Sequence, residues 1–260
     1  MKYGFIGCGN MGGAIAAALS KATQDILLCD PFAAETLAEK LGCKAGNNES
    51  AATNCQRIFL AVKPQVLQSV LSPIAHILRE TKPLLITMAA GIEITKIEEI
   101  IGAQLPIIRI MPNTPVSVGS GTILYCHNSL VSDADLNDFL NDMRFSGMLD
   151  PIAEGLIDAG SALSGCGPAY AYMFIEAMAD GAVACGVPRA KATAYAANTL
   201  MGAAKMVLES GKHPSELKDN VCSPGGSTIA GVRTLEEHGF RGAVMDCIDA
   251  AYHRTKELGK

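Results

Sequence analysis

Tyr3-Gly4-Phe5-Ile6-Gly7-Cys8-Gly9-Asn10-Met11-Gly12 lies near the start of the chain. A short apolar run enters a glycine turn, and an alanine-rich stretch from Met11 to Ser20 follows with helical spacing. G-x-G-x-x-G between a strand and a helix has a mechanical meaning. Gly7 permits the tight turn, Gly9 lets a pyrophosphate approach the backbone, and Gly12 lets helix and strand pack closely. The helix N-terminus offers phosphate its unpaired N–H groups and the positive end of its dipole. A glycine turn without a ligand is the bland alternative, and the strand before it and helix after it weigh against that.

Reading outward, Asp25 to Cys29 is a second strand, followed by Pro31 and a helix from Ala33 to Leu41. Ile58 to Val62 is a continuous apolar strand of the kind buried on both faces. Val66 to Leu78 reads as one amphipathic helix, and Pro83 to Thr87 and Ile107 to Met111 as further strands. This alternation predicts an α/β fold: an N-terminal Rossmann-like domain with a parallel sheet and helices on both faces. Beyond about residue 150 the character changes. Ala169 to Ala184, Lys191 to Glu209, Ala230 to Glu237 and Gly242 to Leu258 are rich in Ala and Met at helical spacing, with no strand among them. The expected domains are residues 1–155, Rossmann-like, and 156–260, all-helical. Apolar residues on several faces of the helical part predict a dimerisation surface.

Composition narrows the functional classes. With 49% hydrophobic residues in 260 and a net charge of -5, the chain has material for one or two cores and no basic run for nucleic acid or an anionic membrane. No apolar stretch is long enough to span a bilayer, and the N-terminus lacks the form of a signal peptide. The 9 cysteines are odd in number and form no C-x-x-C, which reads as free thiols in a reducing, cytoplasmic setting. The 5 histidines show no ligand spacing, so no metal is expected.

Candidate site residues cluster at strand ends, where open α/β sheets bind ligands. Asp30 follows the second strand, where an acid accepts the ribose 2′-hydroxyl of NAD and opposes the 2′-phosphate of NADP. It is also placed to cap the next helix, and both roles can hold together. Lys21, Lys40 and Lys44 are the nearest cations in sequence. Val62-Lys63-Pro64 and Met88-Ala89-Ala90 end two more strands. Lys63 faces either a phosphate or solvent, and the small residues around Ala90 leave room for a flat nicotinamide. Far along the chain, Cys222-Ser223-Pro224-Gly225-Gly226-Ser227-Thr228 forms a turn at a helix start. It is read either as a plain N-cap or as a carboxylate-binding loop.

These segments together resemble the pyrroline-5-carboxylate reductase family. The likeness is carried by Phe5 to Gly12, Ala61-Val62-Lys63-Pro64, Arg109-Ile110-Met111-Pro112-Asn113-Thr114-Pro115, Ala162 to Tyr170 and Lys218 to Thr228. The resemblance implies a Rossmann domain plus a helical domain shared with a second subunit, as a homodimer or a multiple of dimers. It implies reduction of 1-pyrroline-5-carboxylate to L-proline with NADPH or NADH. Cofactor contacts carry over to Gly7, Cys8, Gly9, Asn10, Met11, Gly12, Asn48, Val62, Lys63, Met88, Ala90 and Asn220. Substrate contacts carry over to Ser223, Gly225, Gly226, Ser227 and Thr228, with the Thr228 hydroxyl as the catalytic group beside the ring nitrogen. Two positions depart from the family pattern: Cys166 stands where serine is usual, and Asp30 where NADPH-preferring members carry a neutral or basic residue.

Two rival readings remain at this level. A two-domain hydroxyacid dehydrogenase needs a lysine base, for which Lys191 and Lys205 are the candidates. A non-catalytic nucleotide sensor would bind cofactor without turnover. Asp30 makes NADH at least competitive, so Asp30→Ser is expected to raise catalytic efficiency with NADPH relative to NADH.

Overall fold

A computed structural model describes residues 1–258. The sheet strands are β1 (Tyr3–Ile6), β2 (Ile26–Cys29), β3 (Lys44–Gly46), β4 (Arg57–Leu60), β5 (Leu84–Thr87), β6 (Ile107–Met111), β7 (Gly121–His127) and β8 (Gly147–Pro151). Between them run α1 (Asn10–Leu19), α2 (Ala34–Leu41), α3 (Asn48–Asn54), α4 (Pro64–Leu71), α5 (Ala75–Thr81), α6 (Ile94–Ile101) and α7 (Asp133–Asp142). The remainder is helical: α8 (Ile157–Ser164), α9 (Gly167–Ala184), α10 (Arg189–Ser210), α11 (Pro214–Asn220), α12 (Ser227–Glu237) and α13 (Phe240–Leu258).

The strands lie in the order β3-β2-β1-β4-β5-β6-β7-β8. β1 to β6 are parallel, β7 runs antiparallel to β6, and β8 follows β7's direction. The expected parallel sheet is present in β1 to β6, and the two strands not foreseen, β7 and β8, extend it at one edge. β3 is only 3 residues, all exposed, and β8 is a half-exposed edge. Neither carries the apolar run by which a buried strand announces itself. A correction concerns Val66 to Leu78. Pro73 has no N–H to continue a helix, and the segment breaks into α4, a 3-10 turn over Ser72–Ile74, and α5.

Every residue of β1, β2, β4, β5 and β6 is buried, because helices cover both faces. Side-chain alternation divides them between two cores. Phe5, Phe59, Leu28 and Ile86 pack on α1, and Ile6, Leu60, Leu27 and Leu85 on the opposite face. Phe5 and Phe59 stack across neighbouring strands at 4.4 Å, an offset arrangement that adds to their area burial.

The Arg109–Pro115 segment is explained by packing. Arg109 points out of β6 and is 1% exposed. Its guanidinium reaches Glu154 at 3.2 Å and Asp158 at 3.0 Å, while Lys256 lies 3.3 Å from the other Asp158 oxygen. Asn113 donates its amide to the Ser164 carbonyl and accepts the Thr122 N–H. These bonds tie α8 to the sheet. Accordingly one compact unit comprises Met1–Cys166 and the C-terminal segment from Ala251, and the other comprises Gly167–Ala250. Compact packing divides the chain after Cys166, not after residue 155.

The second unit has little interior of its own. Its buried apolar residues are Ala179, Ala192 and Ala196, in the hairpin of α9 and α10. Tyr172, Met173, Met201, Leu208 and Met245 are each at least 60% exposed. An apolar surface of that kind calls for a partner.

Removing Asp158 leaves Arg109 buried with one carboxylate fewer. Asp158→Ala should cost about 3 kcal/mol, the scale for breaking a buried ion pair, read as a lower urea midpoint. Adding Arg109→Met should restore most of the loss; if it does not, the aspartate matters for some other reason.

Candidate active site

Parallel pairing sets the strand ends level. Ile6 stands opposite both Cys29 and Leu60, and Leu60 opposite Thr87. Gly7, Asp30, Ala61 and Met88 therefore leave the sheet side by side. The Gly7 N–H donates to the Cys29 carbonyl and the Ala61 N–H to that of Ile6, so the first loop residues are held by the sheet itself. β1 has β2 on one side and β4 on the other, which makes this edge the point where strand order reverses and where ligands bind in such sheets.

The three glycines differ in what they prevent. Gly7 has φ +100°, and a Cβ there would lie 2.7 Å from the Ala61 carbonyl oxygen. A Cβ on Gly12 would meet the Gly7 carbonyl oxygen at 2.4 Å. A Cβ on Gly9 would meet nothing within 4 Å. Gly9 is also the N-cap of α1, and no side chain caps that helix. The space above Gly9 and the uncapped N–H groups of the first turn fit a pyrophosphate.

Asp30 is engaged by backbone. One carboxylate oxygen accepts the Cys8 N–H at 2.9 Å; the other accepts the N–H groups of Phe32 and Ala33 at 2.9 and 3.0 Å. Partial burial works against the charged form, but these three bonds outweigh it and hold the carboxyl below its usual range. Asp30 thus joins the glycine loop to the start of the next segment, with lone-pair capacity left on the oxygen facing Cys8. Burial, reinforced by the Asp30 charge, pushes the Cys8 thiol up to about 11. It is neutral at ordinary pH and no nucleophile.

Beside Asp30 opens a cavity of about 970 Å³ whose walls include Phe32, Glu35, Asn47 and Ser50. Sequence reading named Asn48, which begins α3; the wall residue is its neighbour Asn47, whose side chain forms a capping box with Ser50. Phe32 and Glu35 were missed, since an exposed phenylalanine and a first-turn glutamate carry no motif. Lys63 is exposed at the N-cap of α4. The Val62 side chain lies against Gly7, at 2.9 Å from where its Cβ would be. Met88 packs against the α1-side core, while Ala90 packs with Met111, Leu124 and Ile157.

The remaining expected residues lie in the second unit. Asn220 ends α11, and Ser223 to Gly226 make a turn closed by the Gly226 N–H donating to the Ser223 carbonyl at 3.0 Å. Pro224 followed by Gly225 at φ +68° is the chemistry of a type II turn. Gly226 is the N-cap of α12 and no side chain caps it. The exposed Thr228 hydroxyl is therefore not the helix cap, and the first-turn N–H groups stay available. At Cys166 the backbone N–H bonds to the Ser161 carbonyl, so the departure from serine leaves that bond intact.

This fold and glycine loop define a Rossmann-type dinucleotide-binding protein with an appended helical unit. Among known proteins, residues 154–258 match the family model for pyrroline-5-carboxylate reductase dimerisation, and residues 2–91 that for NADP oxidoreductase coenzyme F420-dependent. The chain is 43% identical to the pyrroline-5-carboxylate reductase of Escherichia coli (strain K12), over 100% of this chain and 98% of that one. It is 40% identical to that of Methanosarcina acetivorans, with the same coverage. It superposes on the pyrroline carboxylate reductase of Plasmodium falciparum, solved with NADP bound, with a TM-score of 0.91 at 35% identity, covering 100% and 98% of the two chains. The chain belongs to the pyrroline-5-carboxylate reductase family.

Gly9 and Gly12 are separable by experiment. Gly9 has φ -65° and ψ -167°, which alanine adopts freely. Gly9→Ala should keep its melting temperature yet weaken nucleotide binding at least tenfold, about 1.4 kcal/mol. Gly12→Ala should lose both stability and binding. Calorimetry with a nucleotide titration checks the pair, and equal behaviour of the two variants would contradict it.

Proposed function

We propose that this protein reduces the C=N bond of 1-pyrroline-5-carboxylate to give L-proline, the last step of proline biosynthesis, with NAD(P)H as reductant. The observation that carries this reading is a pair of uncapped helix N-termini in a chain of this family. One lies on the Gly7–Gly12 loop, and the other on the Ser223–Thr228 turn.

Each residue has a task that follows from its chemistry. The Gly9 to Gly12 backbone holds pyrophosphate, and Val62, Lys63, Met88 and Ala90 line the approach to the nicotinamide. Asn220 completes the cofactor contacts. In the Ser223–Thr228 turn, the backbone N–H groups and the Ser223 and Ser227 hydroxyls hold the substrate carboxylate. Gly225 and Gly226 keep that loop free of side chains. The Thr228 hydroxyl hydrogen-bonds the ring nitrogen. The bound cofactor, when reduced, supplies the hydride. An iminium that arrives protonated needs no strong acid, so the protein's main contribution is to orient two flat rings. Lys205 pairs with Glu209 on an exposed helix surface, which does not suit a buried alcohol-oxidising base.

The working state is a homodimer or a multiple of dimers, supported by the dimerisation-family match and the uncovered apolar helices. A cytoplasmic setting is supported by nine unpaired cysteines; no helix among the described residues is long and apolar enough to cross a membrane.

The deciding experiment is a steady-state assay with 1-pyrroline-5-carboxylate and each reduced cofactor. Absence of turnover while nucleotide binds would overturn the proposal. Thr228→Ala should lower kcat about fivefold to 150-fold, from about 1–3 kcal/mol for leaving the substrate nitrogen without its hydrogen-bond partner in the closed complex, with cofactor Kd retained. Unchanged kcat would remove Thr228 from the mechanism. Light scattering should give a dimer or its multiple.

A further inference from the structure

The charged side chains in the wall of the cavity beside Asp30 are all acidic; the N-terminal ammonium of Met1, also a lining residue, is engaged by the Asn54 carbonyl. Asp30 and Glu35 are both in its wall, and its lining contains no lysine or arginine. Lys40, Lys44 and Lys63 all lie outside that lining. The uncharged polar side chains in the wall are Thr36, Asn47, Ser50 and Asn54. Phe32 is 95% exposed at the rim. Its backbone N–H is held by the Asp30 carboxylate at 2.9 Å, so its place beside that carboxylate is set by the fold.

A ribose 2′-phosphate carries roughly two negative charges at neutral pH. Sites that accept it place a cation just past the second strand. Here that stretch is Asp30-Pro31-Phe32-Ala33-Ala34-Glu35. It presents two carboxylates and an aromatic ring, and the ring suits stacking on a flat base. An unphosphorylated ribose finds an acceptor in the remaining lone pair of Asp30. A phosphorylated one meets like charges.

Resting on the cofactor reading above, we propose that this cavity is an adenosine subsite selective for NADH over NADPH, with Glu35 and Phe32 as specificity-determining residues beside Asp30. Asp30 is a poor residue on which to test it. Asp30→Ser would also free the N–H groups of Cys8, Phe32 and Ala33, disturbing the glycine loop along with the charge. Glu35 and Phe32 are exposed, and their substitution leaves those bonds in place.

The test is direct binding of NADH and NADPH to the intact protein, followed by nicotinamide emission, with wild type, Glu35→Gln and Phe32→Arg. Wild type should bind NADH at least tenfold tighter. Glu35→Gln should narrow the gap about threefold, and Phe32→Arg should bring NADPH level with NADH or beyond it. These correspond to about 1.4 and 0.6 kcal/mol. Raising salt from about 0.02 to 0.3 M should narrow the wild-type gap, because repulsion is screened. A cationic phosphate site would widen it.

Equal or tighter wild-type binding of NADPH overturns the inference. So does a binding ratio that neither substitution nor salt moves. Melting temperatures of the variants exclude loss of fold as the cause. Imine turnover is measured alongside. An enzyme that reduces the imine but binds both cofactors alike overturns the specificity inference alone. Cofactor binding without any turnover overturns the functional reading alone.

Discussion

The approach of α1 to the loop after β1 is the constraint on which the carboxyl edge depends. A hydrogen in place of a methyl at Gly12 lets the helix come so close that a Cβ would stand 2.4 Å from the Gly7 carbonyl oxygen. That closeness aims the first-turn N–H groups of α1 into open space above Gly9. Without it the helix would pack farther out, and its dipole would end in solvent. The parallel register does the rest, bringing the ends of β2, β4 and β5 level with that of β1.

Asp30 extends this arrangement beyond the glycines. A carboxylate that accepts three backbone N–H groups is at once a loop clamp, a turn former and a negative charge at the mouth of a cavity. The helix cap foreseen for it is not realised, because α2 starts at Ala34 with Ala33 as N-cap and no side-chain cap; instead its backbone clamp and its charge are coupled through one side chain. The same coupling separates Asp30 from Glu35 and Phe32, which carry charge and shape without holding the backbone.

The helical unit follows a different logic. Its fully buried apolar residues are alanines, which permit close helix approach but bury little area each. Many of its larger apolar side chains, Tyr172, Met173, Met201, Leu208 and Met245 among them, are exposed. The unit leaves apolar surface for a partner to cover, whereas the sheet's two cores are filled by its own helices. Arg109 and Asn113 join α8 to the sheet through buried polar bonds. Those residues were read in sequence as part of a family signature and owe their place to packing.

The sequence alone determined the alternation of β1 to β6 with helices, the phosphate-binding loop and the helical remainder, because each rests on local patterning. Buried strands show as apolar runs, and a glycine turn between strand and helix has few uses. β3 and β8 were not legible, since short edge strands are defined by pairing with a neighbour and not by their own hydrophobicity. The break at Pro73 was legible in principle, as proline cannot continue the hydrogen-bond ladder. Only the tertiary structure decided that Asn47 and not Asn48 walls the cavity, and that α8 belongs with the sheet. It alone decided that Phe32 and Glu35 stand beside Asp30 with no lysine or arginine in the cavity wall. The physical reason is that the make-up of a cavity wall and the docking of a helix depend on which residues distant in sequence meet at one place, and local pattern carries no record of that; Phe32 and Glu35 are near Asp30 in sequence, and what the fold adds is the company they keep in that wall.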